Sequence, residues 1–243
     1  MNDPLTLKEQ RKQASDLTQG ISSSRIYQAV LREMRSRKVS GSCLDYGAGA
    51  GGLLKLLHST NIFTHLYGAD LMSRPNDLDE SIEWLQQDLN DDLVAETLEF
   101  DVLVSSEVIE HLENPRAVFR DFYSKLKPGG TLIVTTPNQQ SIRSLASLLT
   151  KGHFDQFRDR DYPRHITALL HMDIERCAAE AGFSDGRFTY TNEGLMPLPK
   201  LVVTWQSVTL GLAAGRLFSD NLIYSCVKPH HRCNRNNQSG GHD

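Results

Sequence analysis

Three aspartates and a run of glycines mark where this chain could do chemistry. Gly47, Gly49 and Gly52 follow the spacing Gly-x-Gly-x-x-Gly. Glycine opens backbone torsions closed to other residues and lets a ligand lie against the main chain. The run Ser42-Cys43-Leu44 ends in Asp45 just before this loop, and Leu53, Leu54, Leu56 and Leu57 open a helix behind it. Strand, turn, helix is the setting in which such a loop holds a nucleotide, because the free N–H groups of the helix point at the ligand. Asp70 follows about twenty residues later, where a carboxylate can accept both hydroxyl hydrogens of a ribose. Asp88, or the backbone of Leu89 beside it, is placed to meet an adenine. Taken alone, this pattern also fits a dinucleotide. Asp45 weighs against that, since a carboxylate facing a pyrophosphate repels it, whereas an ammonium or sulfonium group would be attracted. Its other use would be to brace the N–H groups of the loop.

The elements that must position these residues alternate. A helix is predicted over 22–36, with Ser22, Ser23 or Ser24 as cap and Ile26, Ala29, Val30 and Met34 on its apolar face. Strands are predicted at 65–70, 81–85, 100–105 and 131–135, with Lys127-Pro128-Gly129-Gly130 as a turn and 92–98 as a short helix or turn. Helices are expected at 52–59, 115–126, 141–149 and 171–181, the last stopped by Gly182. Residues 150–164 read as a loop over the site, and 187–191 and 221–227 as a final, antiparallel strand pair. The expected fold is a doubly wound α/β sheet, with ligands at the carboxyl ends of its strands where strand order reverses. The domain expected at 41–228 is preceded by a helical cap at 1–40, whose first 20 residues are polar, and followed by a disordered tail at 229–243.

Composition narrows the class. The chain has 243 residues and a net charge of −4, which gives no sign of the basic surface that nucleic acid demands. Cys43, Cys177, Cys226 and Cys233 lack metal-ligand spacing, and three lie in apolar segments as expected of buried thiols. That usage fits a reducing compartment. With no signal-like N-terminus and no stretch of 18 apolar residues, a cytoplasmic protein is expected.

Read together, these motifs resemble the class I S-adenosylmethionine-dependent methyltransferases. Leu44-Asp45-Tyr46-Gly47-Ala48-Gly49-Ala50-Gly51 is similar to their first motif, Asp70 to the ribose-binding acid, and Gln87-Asp88-Leu89 to the adenine-contacting segment. Phe100 to Leu112, with Glu107-Val108-Ile109-Glu110-His111, resembles the fourth-strand motif, and Leu126 to Asn138 the next strand. The resemblance implies a seven-stranded, mostly parallel Rossmann-like sheet with an antiparallel last strand. It implies S-adenosylmethionine held by Asp45, Gly47, Ala48, Gly49, Asp70, Leu71, Asp88, Leu89 and Ser105. The Glu-Val-Ile-Glu-His version is nearest in style to ubiquinone-biosynthesis-type small-molecule O-methyltransferases. That likeness raises a divalent metal such as Mg2+ on Glu107, Glu110, His111 and His165. If the stretch is helical, Glu107, Glu110 and His111 share one face. The alternative is that Glu110 and His111 order the loop while Glu107 lies near the methionine end of the cofactor. RNA, the substrate of more distant relatives, is not expected, because Leu112 stands where a second histidine is needed.

Methyl transfer mainly requires nucleophile, methyl carbon and sulfur to be held in line. His165 is the first choice of general base and His111 the second, since an imidazole's free pKa suits proton acceptance near neutrality. Glu107 completes the catalytic set. The acceptor is expected to be a small molecule bound by 1–40, 139–165 and 192–218. The stretch Leu195 to Phe218 is largely apolar and carries no acidic residue. It reads as core or lid packing, an apolar acceptor pocket, a homodimer face or a peripheral membrane contact. Two competing readings of the whole chain are an NAD-dependent oxidoreductase and a non-catalytic methyltransferase-like interaction protein.

Overall fold

The computed structural model describes residues 23–91, 98–198 and 201–230. The elements follow in the order α1 (Ser24–Arg37), β1 (Gly41–Tyr46), α2 (Gly52–Thr60), β2 (Phe63–Asp70), β3 (Glu83–Gln86), β4 (Phe100–Ser106), α3 (Pro115–Lys125), β5 (Leu126–Pro137), α4 (Ile142–Lys151), α5 (His171–Ala181), β6 (Ser184–Tyr190), α6 (Trp205–Val208) and β7 (Asn221–Val227). The seven strands form one sheet in the order β3-β2-β1-β4-β5-β7-β6. Strands β1 to β5 pair in parallel, and β7 runs antiparallel to both of its neighbours. The doubly wound sheet and its reversed last strand are those the sequence predicts.

Alternation along the central strands explains why both faces are covered. Leu44, Leu103, Leu132 and Val134 pack with Phe119 and Phe122 of α3 and Ile174 of α5. Their neighbours Cys43, Val102, Val104 and Ile133 pack on the other face with Val30 and Met34 of α1 and Leu54 and Leu57 of α2. A parallel strand buried on both faces must be apolar at nearly every position, as Val102-Leu103-Val104 is. Helix α1 starts at Ser23, whose side chain accepts from the Ile26 N–H, and its four predicted apolar residues are all buried. Glu33 on α1 is buried as well, accepting from Arg187 Nε at 2.7 Å and Ser225 Oγ at 2.5 Å, which clasps the helix to β6 and β7.

Some boundaries differ from expectation. Lys127 to Gly130 belong to β5 rather than a free turn, because Lys228 pairs across them. Gly129 N donates to the Lys228 carbonyl at 2.7 Å, and Lys228 N to the Gly130 carbonyl at 2.9 Å. Ser81 is in the turn before β3, held by Asp79 Oδ1 at 3.0 Å, so the strand predicted from 81 begins at Glu83. The last pair is formed by β6 and β7, with β6 starting three residues earlier than the predicted 187. Cys43, Cys177 and Cys226 are buried free thiols. The expectations for residues 1–20 and for the tail beyond 230 lie outside the described residues, as does most of 92–98. Among the described residues, no helix is long and apolar enough to cross a membrane.

Candidate active site

Strand order reverses between β1 and β4, and two groups of functional side chains gather at the carboxyl ends of the strands around that point. The first is the glycine loop. Gly47, Gly49 and Gly51 all have positive φ, at 89°, 51° and 73°. A Cβ on Gly47 would lie 2.2 Å from Val108 Cγ2, so the loop passes hard against the segment after β4. The loop hangs from the end of β2: Gly47 N donates to the Ala69 carbonyl at 2.8 Å, and Gly49 N to Asp70 Oδ2 at 2.8 Å. Met72 N donates to the other oxygen, Oδ1, at 2.8 Å. Asp70 is thus a brace of the loop. Burial pushes its carboxyl above the usual range, opposed by the N–H groups of Met72, Gly49 and Leu71.

Asp45 is the next-to-last residue of β1, opposite Val104 of β4. It is almost fully buried, and its Oδ2 makes no hydrogen bond among the described residues. Burial, with the charge of Asp70 adding to it, pushes its carboxyl up to about 8. Ser105, the next-to-last residue of β4, is buried with its hydroxyl likewise unpartnered. On the far side of Asp70, Gln86 Nε2 donates to the Leu71 carbonyl at 3.4 Å. Asp88 Oδ1 accepts from Asn90 N at 3.1 Å, and the Leu89 carbonyl accepts the Tyr46 hydroxyl at 2.6 Å. Tyr46 therefore fixes the segment 88–89 from β1, a role the sequence did not reveal because nothing local to the tyrosine marks its distant partner.

The second group begins where β4 ends. Glu107 has φ 59°, a left-handed turn that breaks the strand, and only Ile109–His111 form a single turn of 3-10 helix. Glu107, Glu110 and His111 consequently do not share a helical face. Glu107 reaches across β5 instead: its Oε1 accepts from Thr135 Oγ1 at 2.8 Å and its Oε2 from Asn221 Nδ2 at 2.7 Å. Burial and the charge of Glu110 raise its carboxyl well above the ordinary carboxylate range. Glu110 Oε2 accepts from Thr136 Oγ1 at 3.0 Å, while Oε1 is buried with no partner among the described residues. Burial pushes this carboxyl up to about 7.

His111 and His165 stand edge to face, their ring centroids 4.9 Å apart. Each is oriented through Nδ1, His111 by the Arg164 carbonyl at 2.6 Å and His165 by the Gln156 carbonyl at 2.7 Å. A carbonyl only accepts, so each Nδ1 carries the proton and Nε2 is the lone-pair nitrogen. The loop after α4 delivers His165: the Asp161 carbonyl accepts from the Arg164 and His165 N–H groups, and the Glu110 carbonyl accepts from those of Ile166 and Thr167. This is the covering loop predicted at 150–164. His153, in the same loop, bonds locally to the Phe154 carbonyl at 3.0 Å.

Glu110, His111 and His165 each offer a ligand atom, all within 4.8 Å of one another. Glu107 is outside this group, so three of the four expected metal ligands come together. The unpartnered Glu110 oxygen and the two backbone-oriented imidazoles fit a divalent cation. With two nitrogen donors and one carboxylate, the set suits a transition ion better than magnesium, which prefers oxygen ligands. The imidazole of His165 is pulled down to about 4, first by burial and then by His111, so it is neutral and weakly basic near neutrality. Its basicity is not the near-neutral one expected of a general base. Thr135, Thr136 and Asn221 were missed from sequence; the two threonines fall inside the β5 motif, but only the register across β4 and β7 shows what they bond.

Comparison with known proteins gives a consistent picture. A family model described as a methyltransferase domain matches residues 19–185. A protein from Psychrobacter arcticus named ubiquinone biosynthesis O-methyltransferase is 24% identical over 152 residues, covering 58% of this chain and 58% of that protein. One of the same name from Xanthomonas campestris is 29% identical over 144 residues, covering 52% and 59%. The match thus spans under two thirds of the length of these curated relatives. A solved structure of a SAM-dependent methyltransferase from Archaeoglobus fulgidus superposes with a TM-score of 0.59 at 20% identity, covering 85% of this chain and 95% of that one.

Proposed function

The chain belongs to the methyltransferase domain family and carries the class I S-adenosylmethionine-dependent fold, and from that premise we propose that it transfers a methyl group to an oxygen of a small, apolar acceptor. The observation that carries the reading is Asp45. A buried carboxyl at the switch point, whose Oδ2 has no partner among the described residues, ionises beside a cation and so suits a cationic nucleoside, whereas a pyrophosphate would only hold it in its protonated form. The likeness to proteins named ubiquinone biosynthesis O-methyltransferases supports oxygen as the acceptor atom and an apolar acceptor body.

In this reading S-adenosylmethionine supplies an electrophilic methyl carbon on its sulfonium. Asp70 accepts the ribose hydroxyls, beside Leu71. Asp88 and Leu89 border the adenine. Gly47, Ala48 and Gly49 bring the main chain close, and Asp45 and Ser105 face the methionine end with Glu107 beyond them. Glu110, His111 and His165 would hold a divalent cation, whose chemistry would be to stabilise the acceptor oxyanion. His165 would then be a ligand through Nε2, with the Gln156 carbonyl fixing its orientation.

The test is calorimetry of the purified chain with S-adenosylhomocysteine and, separately, NAD. Micromolar uptake of the first and none of the second is expected. Radiolabelled methyl transfer to a panel of catechols, phenols and amines then reads the acceptor atom. Uptake of NAD alone would reject the assignment, and transfer to amines only would reject oxygen.

A further inference from the structure

Arg143 stands in the first turn of α4 and holds two carboxylates at once. Its Nη2 is 2.8 Å from Asp155 Oδ2, and its Nη1 donates to Asp220 Oδ2 at 3.1 Å. It thereby joins α4, the covering loop and the end of the insert between β6 and β7. The three side chains are 26%, 13% and 18% exposed, so this is not a solvent-screened pair of negligible strength. Two anions on one cation also make the arrangement depend on the cation. Burial pushes the Asp220 carboxyl up, with the charge of Asp155 adding to it, while the Leu195 N–H and Arg143 oppose the rise. Without Arg143, two neighbouring acids in a covered place would have to part or take up a proton.

Each aspartate precedes, in the chain, a residue that touches the candidate site. Gln156 follows Asp155, and its carbonyl accepts from His165 Nδ1 at 2.7 Å. Asn221 follows Asp220, and its Nδ2 donates to Glu107 Oε2 at 2.7 Å. Consecutive Cα atoms lie about 3.8 Å apart across a trans peptide, so a shift of either aspartate is passed to its neighbour. Arg143 is therefore a common anchor for His165, which the covering loop delivers, and for Glu107, which follows the end of β4.

The anchor has a firm footing and two unequal arms. Ser141 caps α4, its Oγ accepting from Ser144 N at 3.1 Å, and Ser144 Oγ donates to Gln139 Oε1 at 3.1 Å, just past β5. The Asp220 arm is held several times over. Asn138 N donates to its carbonyl at 2.7 Å, its own N donates to the Glu193 carbonyl at 2.9 Å, and its Oδ2 also accepts from Leu195 N at 3.1 Å. Asn138 Nδ2 adds bonds to the Arg216 and Ser219 carbonyls at 2.6 and 2.8 Å. The Asp155 arm has less beside Arg143, with Asp155 N reaching Ser144 Oγ at 3.4 Å. We propose that Arg143 is a positioning residue for the acceptor end of the site, setting the Gln156 carbonyl on His165 and the Asn221 amide on Glu107 through Asp155 and Asp220. The inference rests on the methyl-transfer reading for what His165 and Glu107 do, and on geometry alone for what holds them.

The experiment is proton–nitrogen correlation spectroscopy of the full chain, isotope-labelled in histidine and asparagine, near neutral pH. A chelator keeps any ion from fixing the imidazole tautomer, and His165→Gln and Asn221→Ala identify the two resonances. Wild type is expected to hold His165 as the Nδ1–H tautomer. In Arg143→Gln that signal should give way to mixed tautomers, and the Asn221 side-chain amide should move less. Asp155→Asn should change His165 and spare Asn221, and Asp220→Asn the reverse; these two variants carry the test if Arg143→Gln does not fold. S-adenosylhomocysteine affinity should stay within about threefold of wild type, and for any acceptor that is methylated kcat should fall about tenfold or more with little change in KM for S-adenosylmethionine. An unchanged His165 tautomer in Arg143→Gln overturns the inference, as does a wild type whose His165 is not protonated on Nδ1. So does a single aspartate variant that disturbs both resonances alike, which is general loosening, or cofactor affinity that falls in step with kcat. A wild type that methylates no acceptor counts against the methyl-transfer reading, and the spectra still decide the positioning.

Discussion

The hydroxyl of Thr136 donates to one oxygen of Glu110, at 3.0 Å, and the other oxygen is buried with no partner among the described residues. A half-satisfied buried carboxylate is costly unless a proton or a cation completes it. If His111 and His165 complete it through a bound ion, Glu110→Gln should lower divalent-metal retention by about 10- to 100-fold. Binding of S-adenosylhomocysteine should change less than threefold or so, since on our assignment no cofactor contact is lost. Elemental analysis of the protein after dialysis against each of manganese, zinc, iron(II) and magnesium checks this. Equal metal content in the two proteins would remove the metal from the site.

Asp45 makes a prediction about protons. Its carboxyl sits at about 8 without ligand, raised by burial and then by Asp70. It is therefore mostly protonated at pH 7. A sulfonium held nearby favours the charged form and should expel up to about one proton on binding. Calorimetry at pH 7 in two buffers of different ionisation enthalpy measures it, and Asp45→Asn should abolish it. The same shift affects stability. In the unfolded chain an aspartate titrates at about 4, so this group's contribution is fullest below that pH. The contribution is lost as pH rises through about 8. Asp45→Asn should therefore gain several degrees in Tm relative to wild type at pH 8 and little at pH 4 (roughly 2–4 °C per kcal/mol).

Asp70 should show a mixed phenotype. Its carboxylate takes the N–H groups of both Gly49 and Met72. Asp70→Ala removes the proposed ribose acceptor and also frees the loop. S-adenosylhomocysteine affinity should fall about 100-fold, and stability by about 1–3 kcal/mol as buried donors lose their partner. Calorimetry and urea melts separate the two losses. Unaltered affinity would move the ribose elsewhere.

His165 has a pH signature. As a base of ordinary basicity it would give a limb in kcat/KM near 6.5. Its imidazole is held near 4 by burial and by His111. The profile should accordingly lack an imidazole limb between pH 6 and 7.5. His165→Ala should cut kcat by about 100-fold or more while leaving cofactor affinity within about threefold. A limb at 6.5 that vanishes in the variant would restore His165 as the base.

Glu33 tests the clasp between α1 and the sheet. Buried, and bonded to Arg187 and Ser225, it should cost about 2 kcal/mol on replacement by alanine. Arg187 is partly exposed, which moderates the loss. A lower urea midpoint with unchanged m checks it.

The sheet was legible because its signals are local. Phe100-Asp101-Val102-Leu103-Val104-Ser105 and Thr131 to Thr135 are near-continuous apolar runs, and Gly182 and Ser23 end or begin helices by their own chemistry. Asp45, Asp70 and the glycine loop were legible for the same reason, since each sits at a strand end the pattern itself marks. The acidic cluster was only half legible. Spacing of three and four assumes a helix, and the left-handed turn at Glu107 cannot be read from Ser106-Glu107-Val108. Thr135, Thr136 and Asn221 act across strand register, which depends on pairings far apart in the chain. His165 was named with His111 as a candidate, and the structure stands the two rings 4.9 Å apart, but its lost basicity comes first from burial, which spacing does not show.

The closure of the insert at Glu193 and Asp220 has an evolutionary corollary. Because both ends are tied to one another and to Asn138 at the rim of β5, everything between these posts can be rewritten without disturbing the glycine loop or β1. The insert can therefore be lengthened, shortened or replaced while the nucleoside end keeps its geometry. A graft that joins Glu193 to Asp220 through a short polar linker is the minimal form of that exchange.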